Sequence, residues 1–308
     1  MVSSALSKLV IIGVGLIGGS FALALRRTGL VGRVVGIGRS PENMQRALEL
    51  GIIDEQTDNF SAALSGADFV LLAIPVKQTA SVMQQMAPCL EDHTIVSDAG
   101  STKQNVIQAA RSNLGKHIER FIPAHPIAGT EFSGAEAAFP ELFQNKPVIL
   151  TPLQENNQQA IDRVTALWQH CGANVSLMQA EQHDQILAAI SHLPHMLAFS
   201  LMRHIHTLSQ TLDQGLVPTP GGGGPMAVLQ LAGTSLNDMT RIAASSPEMW
   251  RDICLENRAA LLAQIEAYQQ ELSALQQMLA NHDGESLQKL FSAARATRQE
   301  WTAFRNKS

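Results

Sequence analysis

The sequence predicts an α/β Rossmann-type doubly wound sheet followed by an all-α C-terminal domain, and three observations carry the prediction. Short aliphatic runs alternate with stretches of helical spacing as far as residue 180, the pattern of a parallel sheet with helices between its strands. The stretch from Leu9 to Ser20 runs a buried strand into a helix through three spaced glycines, Gly13, Gly15 and Gly18. From Glu181 onward no convincing strand occurs, and apolar residues recur every three or four positions, the period of helices that bury one face. With 308 residues, 45% of them hydrophobic, the chain is long enough for two domains. They are placed at 1–180 and 181–308.

Four aliphatic residues precede the glycines, and a helical run follows them, the context in which G-x-G-x-x-G reads as a dinucleotide site. Gly13 permits the sharp turn, Gly15 leaves room for a pyrophosphate, and Gly18 lets the helix lie close on the strand. The phosphates then meet the helix N-terminus at Leu16 and Ile17. Val34 to Ile37 is a second strand, and Ser40-Pro41-Glu42 starts a helix with a capping residue and a proline at its first position. Gly51 stops that helix. Phe69 to Ile74 is a strand ended by Pro75, and Thr94 to Ser97 is another, leading into Asp98-Ala99-Gly100-Ser101. Phe121 to Ala124 runs into His125, Val148 to Leu150 follows, and a helix over Asn156 to Cys171 precedes a last strand near Asn174 to Met178. Ligands of such sheets bind beyond the carboxyl ends of the strands, so the loops at Gly13 to Gly18, Gly38 to Ser40, Ile74-Pro75, Asp98 to Ser101 and His125 to Glu131 are expected to line one cleft.

The second strand ends at Gly38-Arg39-Ser40, where an enzyme using NAD usually offers a carboxylate to the ribose 2′-hydroxyl. That carboxylate is missing. Gly38 leaves space, Arg39 offers a planar fork of donors and Ser40 another donor, which favours NADP. With Arg39 as a solvated loop residue, NAD is admitted as well.

In the helical half, Ile186, Ile190, Leu193, Leu197, Leu201, Ile205, Leu208 and Leu212 mark one long helix, kinked by Pro194 beside Ser191 and His192. A glycine-rich loop, Pro220 to Pro225, precedes helical sequence through Arg241. Ser246-Pro247-Glu248 starts a helix expected to reach about Ala280, and Asp283-Gly284 turns the chain into a last helix ending near Phe304. Ala259 to Leu279 carries more apolar spacing than a lone surface helix needs, so a homodimer is expected there, with an intrachain bundle as the alternative.

Composition narrows the partners. A net charge of −5 gives no basic footprint for nucleic acid. Cys89, Cys171 and Cys254 are odd in number and widely spaced, as reduced thiols of a cytoplasmic protein are. The apolar run Leu9 to Leu25 is broken by glycines, and no other run is read as approaching the roughly 20 apolar residues that cross a bilayer. No membrane role is expected.

Several residues are candidates for chemistry. His125 follows a strand and precedes Pro126, so its imidazole is presented from a stiff turn as a general base near neutral pH, or it merely caps a loop. Ser101 either caps a helix over Thr102 to Leu114 or holds a substrate hydroxyl. His183, His192 and His195 share one helix, but their spacing is poor for zinc and no metal is expected. Contacts to an anionic substrate, or satisfied core histidines, fit better. Arg241 either pairs with Asp238 or binds a substrate carboxylate.

Five motifs in order give the chain a family resemblance: Val-Gly-Leu-Ile-Gly-Gly-Ser (14–20), Asp-Ala-Gly-Ser-Thr-Lys (98–103), His-Pro-Ile-Ala-Gly-Thr-Glu (125–131), Ser-His-Leu-Pro-His (191–195), and Thr-Arg-Ile-Ala (240–243) with Met-Trp-Arg-Asp-Ile (249–253). Over nearly its whole length the chain resembles the prephenate/arogenate (cyclohexadienyl) dehydrogenases of tyrosine biosynthesis. The resemblance implies an oxidative decarboxylation in which a hydride reaches the nicotinamide and carbon dioxide leaves as the ring becomes aromatic. By position, it implies that His125 accepts the hydroxyl proton, Ser101 holds that hydroxyl and Arg241 binds a carboxylate. His195, Thr130 and Glu131 would shape the pocket, with Trp250 at its edge. Asn237 stands where many relatives carry a basic residue, which leaves arogenate use open, alone or beside prephenate. No segment for a fused chorismate mutase or a regulatory ligand-binding domain is expected. A β-hydroxyacid dehydrogenase, the alternative enzyme, needs a lysine in its helical domain, and none occurs between Lys146 and Lys289. A non-catalytic NADP-binding sensor is the alternative from another class.

Overall fold

The computed structural model describes residues 5–130, 132–212 and 228–305. Its frame is a six-stranded parallel sheet in the order β3-β2-β1-β4-β5-β6. The strands are β1 (Leu6–Ile12), β2 (Val31–Ile37), β3 (Glu55–Gln56), β4 (Phe69–Leu72), β5 (Ile95–Asp98) and β6 (Phe121–Ile122). Residues along a strand alternate between faces, so Leu9 and Ile11 join Phe69 and Leu71 in one core, while Val10 and Ile12 join Val70 and Leu72 in the other. Both faces are covered, which is why these strands read as unbroken aliphatic runs. On the first face Phe21 of helix α1 (Leu16–Arg27) lies 4.7 Å from Trp168 of a later helix and 5.8 Å from Phe69, ring centre to ring centre.

Strand order reverses between β1 and β4, and the crevice at such a switch point is where α/β sheets bind ligands. Helix α2 (Pro41–Glu49) starts as its sequence dictates: the Ser40 hydroxyl accepts from the Asn43 amide at 3.2 Å. Helices α3 (Phe60–Leu64), α4 (Thr79–Met86), α5 (Gln104–Asn113) and α6 (Gln158–His170) complete the alternation.

The run from Phe121 to His125 does not stay in one sheet. Pro123 has no amide hydrogen to continue the ladder on β5, and the chain leaves the parallel sheet there. Strand β7 (Ala124–Pro126) pairs antiparallel with β8 (Pro147–Leu150), and β9 (Asn174–Leu177) pairs parallel with β8, forming a separate three-stranded sheet. His125 therefore lies within a strand and not in the turn after one.

The helical part begins with α7 (Ala180–Leu187), a π-helical turn over Ala188–His192 and α8 (Leu193–Leu212). The widened turn falls where Pro194 cannot donate to the carbonyl of Ile190. The stretch 180–210 is, against expectation, long and apolar enough to cross a membrane by length and composition. Yet His183, Asp184 and His192 are buried along it among polar partners. Beyond it lie α9 (Thr234–Thr240), a 3₁₀ turn at Arg241–Ala244, α10 (Pro247–Glu256), α11 (Arg258–Ala280) and α12 (Gly284–Arg305). The single helix expected from Ser246 to Ala280 is two, because Asn257 leaves the helical region at φ −103°, ψ 31°. The Pro220 to Pro225 loop lies outside the described residues. The chain divides into two compact units, Met1–Arg258 and Ala259–Ser308.

Candidate active site

The glycine loop is built as its sequence requires. Gly13 sits at φ +99°, and a Cβ there would meet the Ala73 carbonyl oxygen at 2.3 Å. A Cβ on Gly18 would lie 2.4 Å from the Gly13 oxygen and 2.7 Å from Ile11, so the helix can approach the strand only as glycine. Gly15 faces open space, and a Cβ there would meet nothing within 4 Å. It precedes α1, whose N-terminus has no side-chain cap, and the amides at Leu16 and Ile17 are the groups that hold a phosphate in such folds. A cavity of about 1290 Å³ opens there, lined by Gly13, Gly15, Arg39, Ser40, Ile74 and Pro75 among others. The donor set and the open space fit a dinucleotide.

Around the second strand the picture is mixed. With the Gln78 amide turned so that its oxygen faces Arg39, that oxygen accepts from Nη1 and Nη2 at 3.1 and 3.2 Å, which holds the guanidinium at the cavity wall. The Ser40 hydroxyl is already used, accepting from Asn43 and donating to Glu42 Oε2 at 2.9 Å. The space beside Gly38 is taken by Met44, whose Sδ would be 2.4 Å from a Cβ.

His125 is buried, and its Nδ1 lies 2.8 Å from Nε2 of the fully buried His183. His183 Nδ1 is in turn 2.8 Å from Asp184 Oδ1. Burial first, then the neighbouring His183, Lys103 and His192, holds the His125 imidazole well below the ordinary histidine range. Burial pushes the Asp184 carboxyl up, but hydrogen bonds from His183 and from the Gln104 and Lys103 amides outweigh it and keep the group below its usual value.

The residue before His125 is gripped on both sides. Asp98 Oδ1 accepts from the Ala124 amide at 3.1 Å, and Lys103 Nζ donates to the Ala124 carbonyl at 2.7 Å and to Asp98 Oδ2 at 2.5 Å. Lys103 is wholly buried, which draws its ammonium below the usual lysine value against the attraction of Asp98.

Ser101 does not cap a helix: α5 begins at Gln104, and its first amides, those of Lys103 and Gln104, donate to Asp184 at 2.8 and 2.9 Å. Ser101 has no side-chain hydrogen bond among the described residues and stays half-buried at the end of β5. His195 stacks on Trp250 with ring centres 3.6 Å apart and donates Nδ1–H to the Ser191 carbonyl at 2.9 Å. Burial lowers its pKa against that hydrogen bond, and Arg241 lowers it further. Arg241 is exposed and makes no ion pair with Asp238 or with any other described residue. Thr130 is exposed, with its hydroxyl 3.2 Å from the Phe132 amide, and Glu131 lies outside the described residues. His192 is tied through Nδ1 to Asn257 Nδ2 at 3.0 Å, and burial pushes its pKa down to about 4. Among the described residues no group of three His, Cys, Asp or Glu is placed to hold a metal ion.

Sequence reasoning missed Lys103, Asp184 and Asn257 as parts of this cluster, and gave His183 no partner. Lys103 follows a buried strand end, which was the one available signal; Asp184 stands among the exposed Gln182 and Gln185 and gave none.

A switch-point sheet with a glycine loop and an open cavity at it fits a dehydrogenase that uses a nicotinamide cofactor, although neither His125, on the second sheet, nor Ser101 is among the residues that line that cavity. Comparison with known proteins agrees. The family model for the prephenate dehydrogenase nucleotide-binding domain matches residues 21–177, and that for the prephenate dehydrogenase dimerization domain matches 179–293. A cyclohexadienyl dehydrogenase of Zymomonas mobilis is 38% identical over 290 residues, 94% of each chain. A prephenate dehydrogenase from A. aeolicus, solved with hydroxyphenyl propionate and NAD+, superposes with a TM-score of 0.85 at 34% identity, covering 96% of this chain and 98% of that one. A Synechocystis arogenate dehydrogenase gives 0.76 at 27% identity, covering 96% and 99%. The chain belongs to the prephenate dehydrogenase family.

Proposed function

We propose that this protein oxidatively decarboxylates prephenate, arogenate or both in tyrosine biosynthesis, with NADP favoured over NAD. The observation that carries the reading is the buried His125, its Nδ1 held by His183 and its Nε2 left for a substrate hydroxyl. When bound, the nicotinamide supplies the hydride acceptor. His125 Nε2 takes the hydroxyl proton as the hydride leaves, which avoids a protonated carbonyl, and Ser101 positions that hydroxyl. Arg241, exposed and without an ion pair among the described residues, has the guanidinium that a substrate carboxylate requires. His195, held by Trp250 and Ser191, forms one wall, and Thr130 and Glu131, which follow His125 in the sequence, are the remaining pocket candidates. Aromatisation supplies the driving force, so the protein contributes mainly positioning and one base.

Arg39 supports NADP because its guanidinium lines the cavity and, with one hydrogen of Nη1 and one of Nη2 given to Gln78, keeps further N–H donors for a 2′-phosphate. Ser40 adds little, since its hydroxyl is committed to Glu42. Replacing Arg39 with alanine is expected to raise KM for NADP by about 10-fold, the worth of one charge-assisted hydrogen bond, and to leave KM for NAD within about 2-fold. Equal effects on both cofactors contradict the assignment. Initial rates with prephenate and arogenate against each cofactor test the function itself; no turnover in any of the four combinations overturns it.

We also read 1–180 as the cofactor-binding part and 181–308 as the part that completes the substrate pocket and forms a homodimer in the cytoplasm. Leu262, Leu272 and Leu279 on α11, and Phe291 and Trp301 on α12, are exposed apolar side chains of the kind that a second copy covers.

A further inference from the structure

The hydrogen-bonded row His125–His183–Asp184 has only one self-consistent arrangement of protons while both imidazoles are neutral. Asp184 is an acceptor throughout: Oδ1 takes the Lys103 amide at 2.8 Å and Oδ2 the Gln104 amide at 2.9 Å. Its contact with His183 Nδ1 therefore places a hydrogen on that nitrogen. The His183 Nε2 lone pair is then the acceptor at 2.8 Å from His125 Nδ1. His125 must carry its hydrogen on Nδ1, and its Nε2 is left unprotonated.

We infer that His183 and Asp184 are positioning residues that fix the tautomer and orientation of His125, and that the same carboxylate, by capping α5, fixes the loop that carries Ser101. The inference rests on the proposed role of His125 as the base. When His125 Nε2 takes the substrate proton, an O–H bond breaks, an N–H bond forms, and the resulting imidazolium donates from Nδ1 to His183. His183 in turn donates from Nδ1 to Asp184, so the row that holds His125 ends on a carboxylate. The groups facing the row from other elements are Lys103, itself paired with Asp98, and His192. Asn257 closes the arrangement by donating to the Asp184 carbonyl at 2.8 Å and to His192, which accounts for the helix break at that residue.

Two-bond ¹H–¹⁵N spectra of histidine-labelled protein, with His125 identified by the signal lost in His125→Asn, read the tautomer directly. Expected in the wild type is a protonated Nδ1 and a bare Nε2; a protonated Nε2 overturns the inference whatever the variants do. His183→Phe removes the acceptor, and expected are an emerging Nε2–H form and a fall in kcat of about 100-fold with the Kd for NADP unchanged. His183→Gln keeps an acceptor oxygen, and expected is the wild-type tautomer with most of the kcat restored. A wild-type tautomer and wild-type kcat in a folded His183→Phe protein overturn the inference. A bare Nε2 in a protein inactive toward both substrates supports the tautomer assignment and overturns the proposed reaction.

Discussion

Replacing His125 with asparagine lowers kcat by about 10³-fold, within the range that a positioned general base supplies, and leaves NADP binding unchanged. Asparagine offers no basic nitrogen for the substrate hydroxyl, while the glycine loop and Arg39 stand on other strands and keep their geometry. The pH dependence of the wild-type enzyme follows from the same residue. The base works only when neutral, and burial with neighbouring His183, Lys103 and His192 holds its folded pKa well below 6.5. Activity that depends on neutral His125 is thus fully present at and above pH 6.5 and is lost only as the pH falls through that lower value. Initial rates across the acid range check this. A decline centred at or above pH 6.5 contradicts the environment described for His125, and an asparagine variant with near-normal kcat contradicts its role.

Replacing Lys103 with methionine destabilises the fold by about 3 kcal/mol, the lower end of what breaking a buried ion pair costs. The low end applies because Asp98, though stranded, still accepts from the Gly100 and Ala124 amides. For a unit of this size that loss corresponds to a fall in Tm of roughly 6–12 °C, at about 2–4 °C per kcal/mol. Adding Asp98→Asn removes the unpaired charge and recovers part of the loss. A second readout separates electrostatics from packing. Lys103 lowers the His125 pKa, so removing its charge raises that pKa and moves the acid limb of the rate profile upward. Scanning calorimetry with the rate profile checks both; an unchanged Tm contradicts the burial and pairing of Lys103.

Local chemistry is legible in the sequence wherever one turn or one helix end decides the structure. Gly13 turns the chain at positive φ and Gly18 lets the helix lie on the strand as their spacing requires, Ser40 caps α2, and Pro194 follows the π turn that separates α7 from α8. What depends on distant partners is not legible. The aliphatic run around Pro123 looks like one strand, and only the pairing of Ala124–Pro126 with Pro147–Leu150 shows that it serves two sheets. Sequence alone leaves Ser101 as either the cap of a helix over Thr102 to Leu114 or a partner of the substrate hydroxyl, whereas the carboxylate that caps α5 lies about 80 positions along the chain at Asp184. Asn257 sits in sequence of good helical spacing, and its break follows from hydrogen bonds to Asp184 and His192 on another element. The histidine spacing on the long helix raises the question of a metal, but the partner of His183 is the proposed base itself. A single strand-borne histidine is thus found from its neighbours in sequence, while the residues that fix its proton are visible only in three dimensions.

The most direct test of the central claim is to mix the wild-type protein with NADP and prephenate, then with NADP and arogenate, and to measure reduced nicotinamide and released carbon dioxide together. Expected is one carbon dioxide for each nicotinamide reduced with at least one of the two substrates, and neither product from His125→Asn on the same timescale. Nicotinamide reduction without carbon dioxide, or no reduction with either substrate, contradicts an oxidative decarboxylation carried by His125.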